Sequence, residues 1–181
     1  EQRLLEAVKA TGKPLVVVVM SGSAIALNWA KESANAILQA WYPGEEGGTA
    51  IAQTLDGTNN PSGRLPVTFY TGVDQLPEFT DYSMARRTYR YFDGEPLFPF
   101  GFGLGYSTFA YADLKVPEKV AAGDPLQVEA QVRNTGTREG DEVVQLYLTF
   151  PKLPGAPRRA LRGVTRVHLK PGEQQTVRFT L

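Results

Sequence analysis

Two neighbouring carboxylates, Glu45 and Glu46, lie in the densest patch of reactive residue types, Trp41-Tyr42-Pro43-Gly44-Glu45-Glu46-Gly47-Gly48. A carboxyl group can act as a general acid or hold a hydroxyl, and the glycines let the backbone come close to other groups. A simpler reading is that the pair complements the positive end of a following helix. Cleaving a glycosidic bond with retention takes two carboxyl groups about 5 Å apart across the sugar, and adjacency in sequence does not supply that arrangement. A second patch, Arg86-Arg87-Thr88-Tyr89-Arg90-Tyr91-Phe92, alternates cations with aromatics. It can stack on bases or sugar faces. Alternatively, it can be a strand whose arginines reach carboxylates while its aromatics fill a seam between domains. The seam reading is favoured, because this half of the chain is acidic and binding to nucleic acid needs a basic one.

Other chemistry is excluded by residue type or context. Pro99-Phe100-Gly101-Phe102-Gly103-Leu104-Gly105-Tyr106 contains Gly-x-Gly-x-Gly but does not open a helix after a strand, so it fails as a dinucleotide loop. The chain has no cysteine and one histidine. That rules out disulfides, thiolate zinc sites and cysteine nucleophiles, and leaves no serine–histidine triad or histidine zinc site in prospect. His168 sits in an alternating pattern and reads as an exposed strand residue. No acidic loop has calcium-ligand spacing. No cofactor and no metal is expected. Ser21-Gly22-Ser23 follows an apolar run, at a place where parallel sheets gather ligands, but reads more simply as a turn.

The elements that must position these residues divide the 181-residue chain into two styles. Leu4, Leu5 and Val8 give one face of a short helix, closed by Gly12 and Pro14. Leu15-Val16-Val17-Val18-Val19-Met20 is a continuous apolar run, as in a parallel-sheet strand buried on both faces. Residues 34–40 read as a short strand or a helix end. Residues 49–55 read as a helix ended by Gly57. Asn60-Pro61-Ser62-Gly63 is a turn, and Leu65-Pro66-Val67-Thr68-Phe69 a short strand. This order is α/β. Residues 82–109 hold nine of the nineteen aromatics and show no helical period, as expected of a loop that packs against something. Strands are predicted near 113–117, 126–134, 142–150, 161–169 and 174–181, where Val128, Ala130 and Val132, and likewise Val144, Leu146 and Leu148, alternate with polar residues, with turns at Asn134-Thr135-Gly136 and Lys170-Pro171-Gly172-Glu173. Five such strands are most of a β-sandwich.

Charge separates the same halves. Residues 1–106 carry 8 basic and 11 acidic side chains, and residues 107–181 carry 11 and 8. The whole is neutral, which gives no support for a nucleic-acid partner. No apolar run reaches the ~20 residues of a membrane helix. The first residues read as mid-helix and the last as mid-strand, so a fragment of a longer chain is expected.

Several ordered segments together resemble glycoside hydrolase family 3. Asn60-Pro61-Ser62-Gly63-Arg64-Leu65-Pro66-Val67-Thr68-Phe69 resembles the segment that ends that family's α/β sandwich. Residues 41–52 resemble the turn and helix before it. Pro96-Leu97-Phe98-Pro99-Phe100-Gly101-Phe102-Gly103-Leu104-Gly105-Tyr106-Ser107-Thr108-Phe109 resembles the start of its fibronectin-III-like domain, and Gly140-Asp141-Glu142-Val143-Val144-Gln145-Leu146-Tyr147 one of that domain's core strands. The departures are local: Gly105 where Ser or Thr is common, Val164 where an aromatic is common, and Leu55-Asp56-Gly57 for Leu-Phe-Gly.

The resemblance implies an α/β sandwich portion over residues 1–70, an aromatic-rich linker over 71–109 and a fibronectin-III-like β-sandwich over 110–181 lacking its last strands. It implies a retaining exo-β-glycosidase acting on β-linked oligosaccharides or glycosides. β-Glucosidase is favoured and β-xylosidase is the alternative. The aspartate nucleophile belongs to an N-terminal TIM barrel and the glutamate acid/base to the α/β portion upstream of Leu15. No catalytic residue is therefore expected in this chain, which alone should be inactive. Glu45, Glu46 and Arg87 are the residues expected nearest the substrate. The barrel and upstream α/β portion are the expected partners, a homodimer is compatible with the family, and the expected location is periplasmic or extracellular. A carbohydrate-binding or structural module is the competing function.

Overall fold

The computed structural model describes residues 1–150 and 153–181. Helix α1, Gln2–Lys9, is followed by a turn through Gly12, whose φ of 76° suits glycine. Strand β1, Val16–Val19, pairs in parallel with β2, Ala36–Gln39. Asn35 locks the start of this pair. Its N–H donates to the Leu15 carbonyl at 2.7 Å, and its Oδ1 accepts from the Leu15 N–H at 2.9 Å. Residues 34–40, open between strand and helix in the sequence, thus hold the strand Ala36–Gln39. Helix α2, Asn28–Ser33, leads into it and has no counterpart among the predicted elements. Helix α3, Gly47–Asp56, ends at Gly57 in the left-handed conformation, as expected.

The valine run is not buried on both faces. Leu15 and Val19 are buried, but Val16 is 45% exposed. A parallel strand needs cover on two sides, and among the described residues β1 has only β2 as a sheet neighbour. Leu4 of α1 is 68% exposed for the same reason: its apolar face has nothing to pack on.

Residues 65–69 also differ from expectation. They bend at Pro66 and Val67 and form no continuous strand, only the isolated bridge Phe69–Phe98. Leu65 N–H donates to the Phe102 carbonyl, and Gly101 N–H to that of Leu65, both at 2.8 Å. Between these contacts Pro66 has no N–H to offer. In the aromatic stretch the only α-helical segment is α4, Thr88–Tyr91, a single turn.

The β part holds the five expected strands. β3 (Phe109–Lys115), β4 (Gln127–Asn134) and β7 (Gln174–Thr180) form one antiparallel sheet in the order β3-β4-β7. β5 (Gly140–Leu148) and β6 (Ala160–Leu169) form the other. β3 begins four residues before its expected position of 113–117. A register shift between Ala112 and Lys115, with Asp113 at φ 51°, disrupts the segment that sequence favoured. The core is Val132, Val144, Val167, Leu169 and Val177, with Phe109, Ala130 and Phe179 packed on it. Gly163 makes room for Phe179, whose ring would lie 2.4 Å from a Cβ there.

Asn134 is fully buried at the end of β4. Its Nδ2 donates to the carbonyls of Arg138 at 2.7 Å and Leu169 at 2.9 Å, and its Oδ1 accepts from Gly136 N–H at 2.9 Å. One side chain therefore ties both sheets and satisfies the turn between β4 and β5. Asn134→Ala removes all three bonds, although the Arg138 carbonyl keeps the Ser107 hydroxyl and Gly136 N–H keeps the Thr108 carbonyl, and is expected to cost about 2 kcal/mol. Urea unfolding of the two chains measures it, and a loss below about 1 kcal/mol would show that water replaces the side chain.

Candidate functional site

The two halves meet at a seam built from the turn at residues 60–64 and the glycine-rich segment 101–105. Asn60 Nδ2 donates to Ser107 Oγ at 2.9 Å and to the Glu139 carbonyl at 2.8 Å, while its Oδ1 accepts from Tyr106 N–H at 2.8 Å. A Cβ on Gly103 would lie 2.1 Å from the Gly63 carbonyl oxygen, and one on Gly105 would lie 2.4 Å from that of Pro61. Gly-x-Gly-x-Gly thus serves the approach of two backbones, not a phosphate. Tyr106 completes the contact by donating its hydroxyl to the Thr54 carbonyl of α3 at 2.5 Å, and Arg138 donates to the Gly57 carbonyl.

At the centre of the seam is an ion pair that motif reading did not find. Arg64 Nη2 donates to Glu142 Oε2 at 2.7 Å, with both side chains largely buried, at 16% and 11% exposure. Arg64 Nη1 also donates to the carbonyls of Ser62 and Gly63. Tyr111 donates its hydroxyl to the other carboxylate oxygen at 2.7 Å. Burial, and then the Glu142 carboxylate, push the Tyr111 phenol well above its usual range. Arg64 and Glu142 are 78 residues apart, so only the fold brings them together. The available signal was a carboxylate in the alternating pattern of β5, on the side that should be apolar.

The aromatic stretch fills the neighbouring volume. Tyr89 stacks on Phe100 with centroids 4.1 Å apart, and Phe69 meets Trp41 and Phe98 edge-on at 5.9 and 6.3 Å. The aromatics of residues 86–92 therefore pack in the seam, as expected, but from a helical turn. Of the arginines, Arg87 reaches carbonyls, while the Arg90 guanidinium lies 5.6 Å from the Tyr91 ring centroid. The one carboxylate contact, Arg86 to Asp93 at 3.8 Å, is exposed.

The three residues expected near substrate are placed as follows. Glu46 occupies the N-cap position of α3, and Glu45 precedes it; both are exposed, and neither side chain makes a hydrogen bond or ion pair among the described residues. They follow the carboxyl end of β2, after Trp41 in the left-handed region at φ 53°. Arg87 is half-buried and donates to the carbonyls of Glu78 at 3.2 Å, Asp81 at 2.5 Å and Ser83 at 3.1 Å. Its cation organises the loop 78–87, with Arg86 and Thr88 on either side at φ 57°. Ser83 N–H donates to Asp81 Oδ1, which holds that carboxyl below its usual range. The loop displays Phe79 and Tyr82, each 91% exposed. No hydrogen bond or ion pair joins Arg87 to either glutamate. No group of three metal-ligating side chains occurs among the described residues, and no helix there is long and apolar enough to cross a membrane.

Residues 1–106, from α1 to the end of the glycine-rich segment, match the glycosyl hydrolase family 3 C-terminal domain. The chain belongs to this family. Residues 142–181 match the fibronectin type III-like domain. A xylan 1,4-beta-xylosidase of Xylanibacter ruminicola is 49% identical over 181 residues, covering 100% of this chain and 21% of its own. A periplasmic beta-glucosidase of Salmonella typhimurium is 40% identical over 195 residues, covering 100% and 26%. The solved beta-glucosidase from Listeria innocua in complex with isofagomine superposes with a TM-score of 0.86 at 31% identity, covering 99% of this chain and 27% of that one. The chain thus spans about a quarter of these family 3 relatives. The α/β portion followed by a fibronectin-III-like portion is the family architecture that the sequence resemblance implied.

His168 is an exposed strand residue, as read from sequence. Its Nδ1 lies 2.7 Å from Asp141 Oδ1, across the β5–β6 ladder, and its Nε2 lies 3.8 Å from Glu139 Oε2. The bond to Asp141, more than the weaker pull of Glu139, raises the imidazole pKa above its ordinary value of 6.5. This pair adds stability below about pH 6.5, lost as pH rises through the higher folded pKa. An NMR titration of His168 should show the elevated midpoint, and Asp141→Asn should bring it down.

Removing one member of the seam pair is a harsher test. Glu142→Ala strands a buried guanidinium and should cost about 3 to 5 kcal/mol, whereas joint replacement of Arg64 by Met and Glu142 by Leu should recover most of that loss. Denaturant unfolding of the single and double variants decides it. Additive losses would mean the two groups do not interact.

Proposed function

We propose that this chain is the C-terminal quarter of a retaining, exo-acting β-glycosidase, and that the complete enzyme is a β-glucosidase. The observation that carries the reading is end-to-end similarity to named β-glucosidases, including the Salmonella relative at 40% identity over the whole chain. The relatives' greater length leaves room for a barrel and for the rest of the α/β layer. Outward-facing Val16, Leu4 and Val8 supply apolar surface for that layer to cover. A groove of about 460 Å³ beside β2, lined in part by Val16, Ile37, Leu38 and Trp41, continues this surface.

In that enzyme the bond is broken by double displacement: an aspartate of the barrel attacks the anomeric carbon, and a glutamate upstream of Leu15 protonates the leaving oxygen and then activates water. This chain supplies neither group. Its division into 1–70, 71–109 and 110–181 follows the change from α/β elements to aromatic linker to antiparallel sheets. Glu45 and Glu46 stand after the carboxyl end of β2, the side on which open parallel sheets gather ligands, and their side chains are free to meet sugar hydroxyls. Arg87 acts indirectly, by fixing the loop that carries Phe79 and Tyr82. The periplasmic relative supports work outside the cytoplasm.

A β-xylosidase is the second reading, favoured by the 49% identity to the Xylanibacter xylosidase. The full-length enzyme carrying this chain should release nitrophenol from 4-nitrophenyl β-glucoside faster than from the β-xyloside, and the 181-residue chain alone from neither. The reverse preference selects the xylosidase. Turnover by the chain alone would place catalytic groups within it and end the proposal.

A further inference from the structure

A cleft of about 420 Å³ opens between the aromatic linker and the β-sandwich, within the size range of small-molecule sites. One wall is Tyr89, Phe92 and Phe100. The other carries Arg158 and Arg159, which lead into β6. The aromatic wall is fixed: Tyr89 and Phe100 are stacked at 12°, and the Tyr89 hydroxyl accepts from Leu161 N–H at 3.1 Å.

Both arginines are also held in place. Arg158 N–H donates to the Arg90 carbonyl at 2.7 Å, and its Nη1 donates to that of Phe92 at 3.2 Å. The Arg159 guanidinium stands 5.5 Å from the Tyr147 ring centroid. Neither forms an ion pair among the described residues. Glu95 is the one carboxylate in the lining, and it too forms no ion pair among the described residues. The cleft therefore has two oriented cations, one opposing anion and a rigid apolar wall.

Guanidinium groups offer a planar fork of donors that fits a carboxylate. Aromatic side chains offer flat apolar surface, to which the C–H face of a pyranose is complementary. A neutral sugar would use only the wall, and a simple anion only the arginines. We propose that this cleft binds a saccharide that carries a carboxylate, a uronic acid residue. The ring lies on the Tyr89–Phe100 wall and the carboxylate meets Arg159 and the remaining donors of Arg158. The inference does not need the hydrolase reading, because binding is measured without turnover.

Calorimetric titration of the 181-residue chain with D-glucuronate, D-glucose and acetate tests it. Glucuronate should bind at least about tenfold more tightly than either comparator, and Arg159→Gln should remove that advantage. Glu95→Gln, which deletes the opposing charge, should tighten glucuronate severalfold and leave glucose unchanged. Both substituted residues are exposed, so thermal unfolding of the variants should match the parent chain. Equal binding of glucose and glucuronate would remove the arginines from the site. Acetate binding as well as glucuronate would reduce it to a simple anion site. No saturable glucuronate binding, or binding insensitive to both substitutions, would overturn the proposal.

Discussion

The ion pair between Arg64 and Glu142 is the contact on which the arrangement of the two halves depends. Taking two charges out of water is costly, and the pair is tolerated because both carboxylate oxygens and both terminal guanidinium nitrogens have partners. Arg64 directs its Nη1 to the carbonyls of Ser62 and Gly63, and Glu142 takes the Tyr111 hydroxyl. These bonds reach from the end of the α/β portion to two strands in different sheets. Asn60, four residues earlier, adds bonds to Ser107 and to the backbone before β5. The turn that closes the first half is thereby the socket for the second.

This pairing also explains how the aromatic linker is organised. With residues 60–64 fixed against β5, the glycine-rich segment must run between them. Phe98 and Phe100, just before it, then pack on Phe69 and Tyr147. The stretch has no helical period because it serves several neighbours at once. The single turn of α4 and the braced loop before it are held by tertiary contacts, with Thr88 N–H donating to the Tyr70 hydroxyl at 2.9 Å.

What the sequence disclosed follows from how local each signal is. Alternation in Val128, Ala130 and Val132, or in Val144, Leu146 and Leu148, is a period-two pattern, and it located β4 and β5 within two residues. β3 was misplaced because a bulge at Asp113 breaks that alternation. α2 was missed because six residues with a single buried side chain, Ala30, leave no apolar stripe. The depth of β1 was overestimated because burial depends on what lies beside a strand, which the strand itself does not encode. Glu45, Glu46 and Arg87 were singled out by residue type. Arg64 and Glu142 escaped because a buried pair is defined by partners far apart in the chain. Family resemblance recovered the order of the parts but not which of their contacts carry the energy.

The contact distances at Gly103 and Gly105 have a consequence for how this protein can diverge. Every single replacement at Gly103 adds a carbon that would meet a backbone oxygen, and a backbone oxygen cannot swing aside as a side-chain tip can. No smaller residue exists to try first. Change at that position therefore needs a prior displacement of residues 61–64, and that displacement would draw Arg64 away from Glu142. The seam is a valley with steep walls in sequence space, where variation must arrive as coordinated sets or not at all.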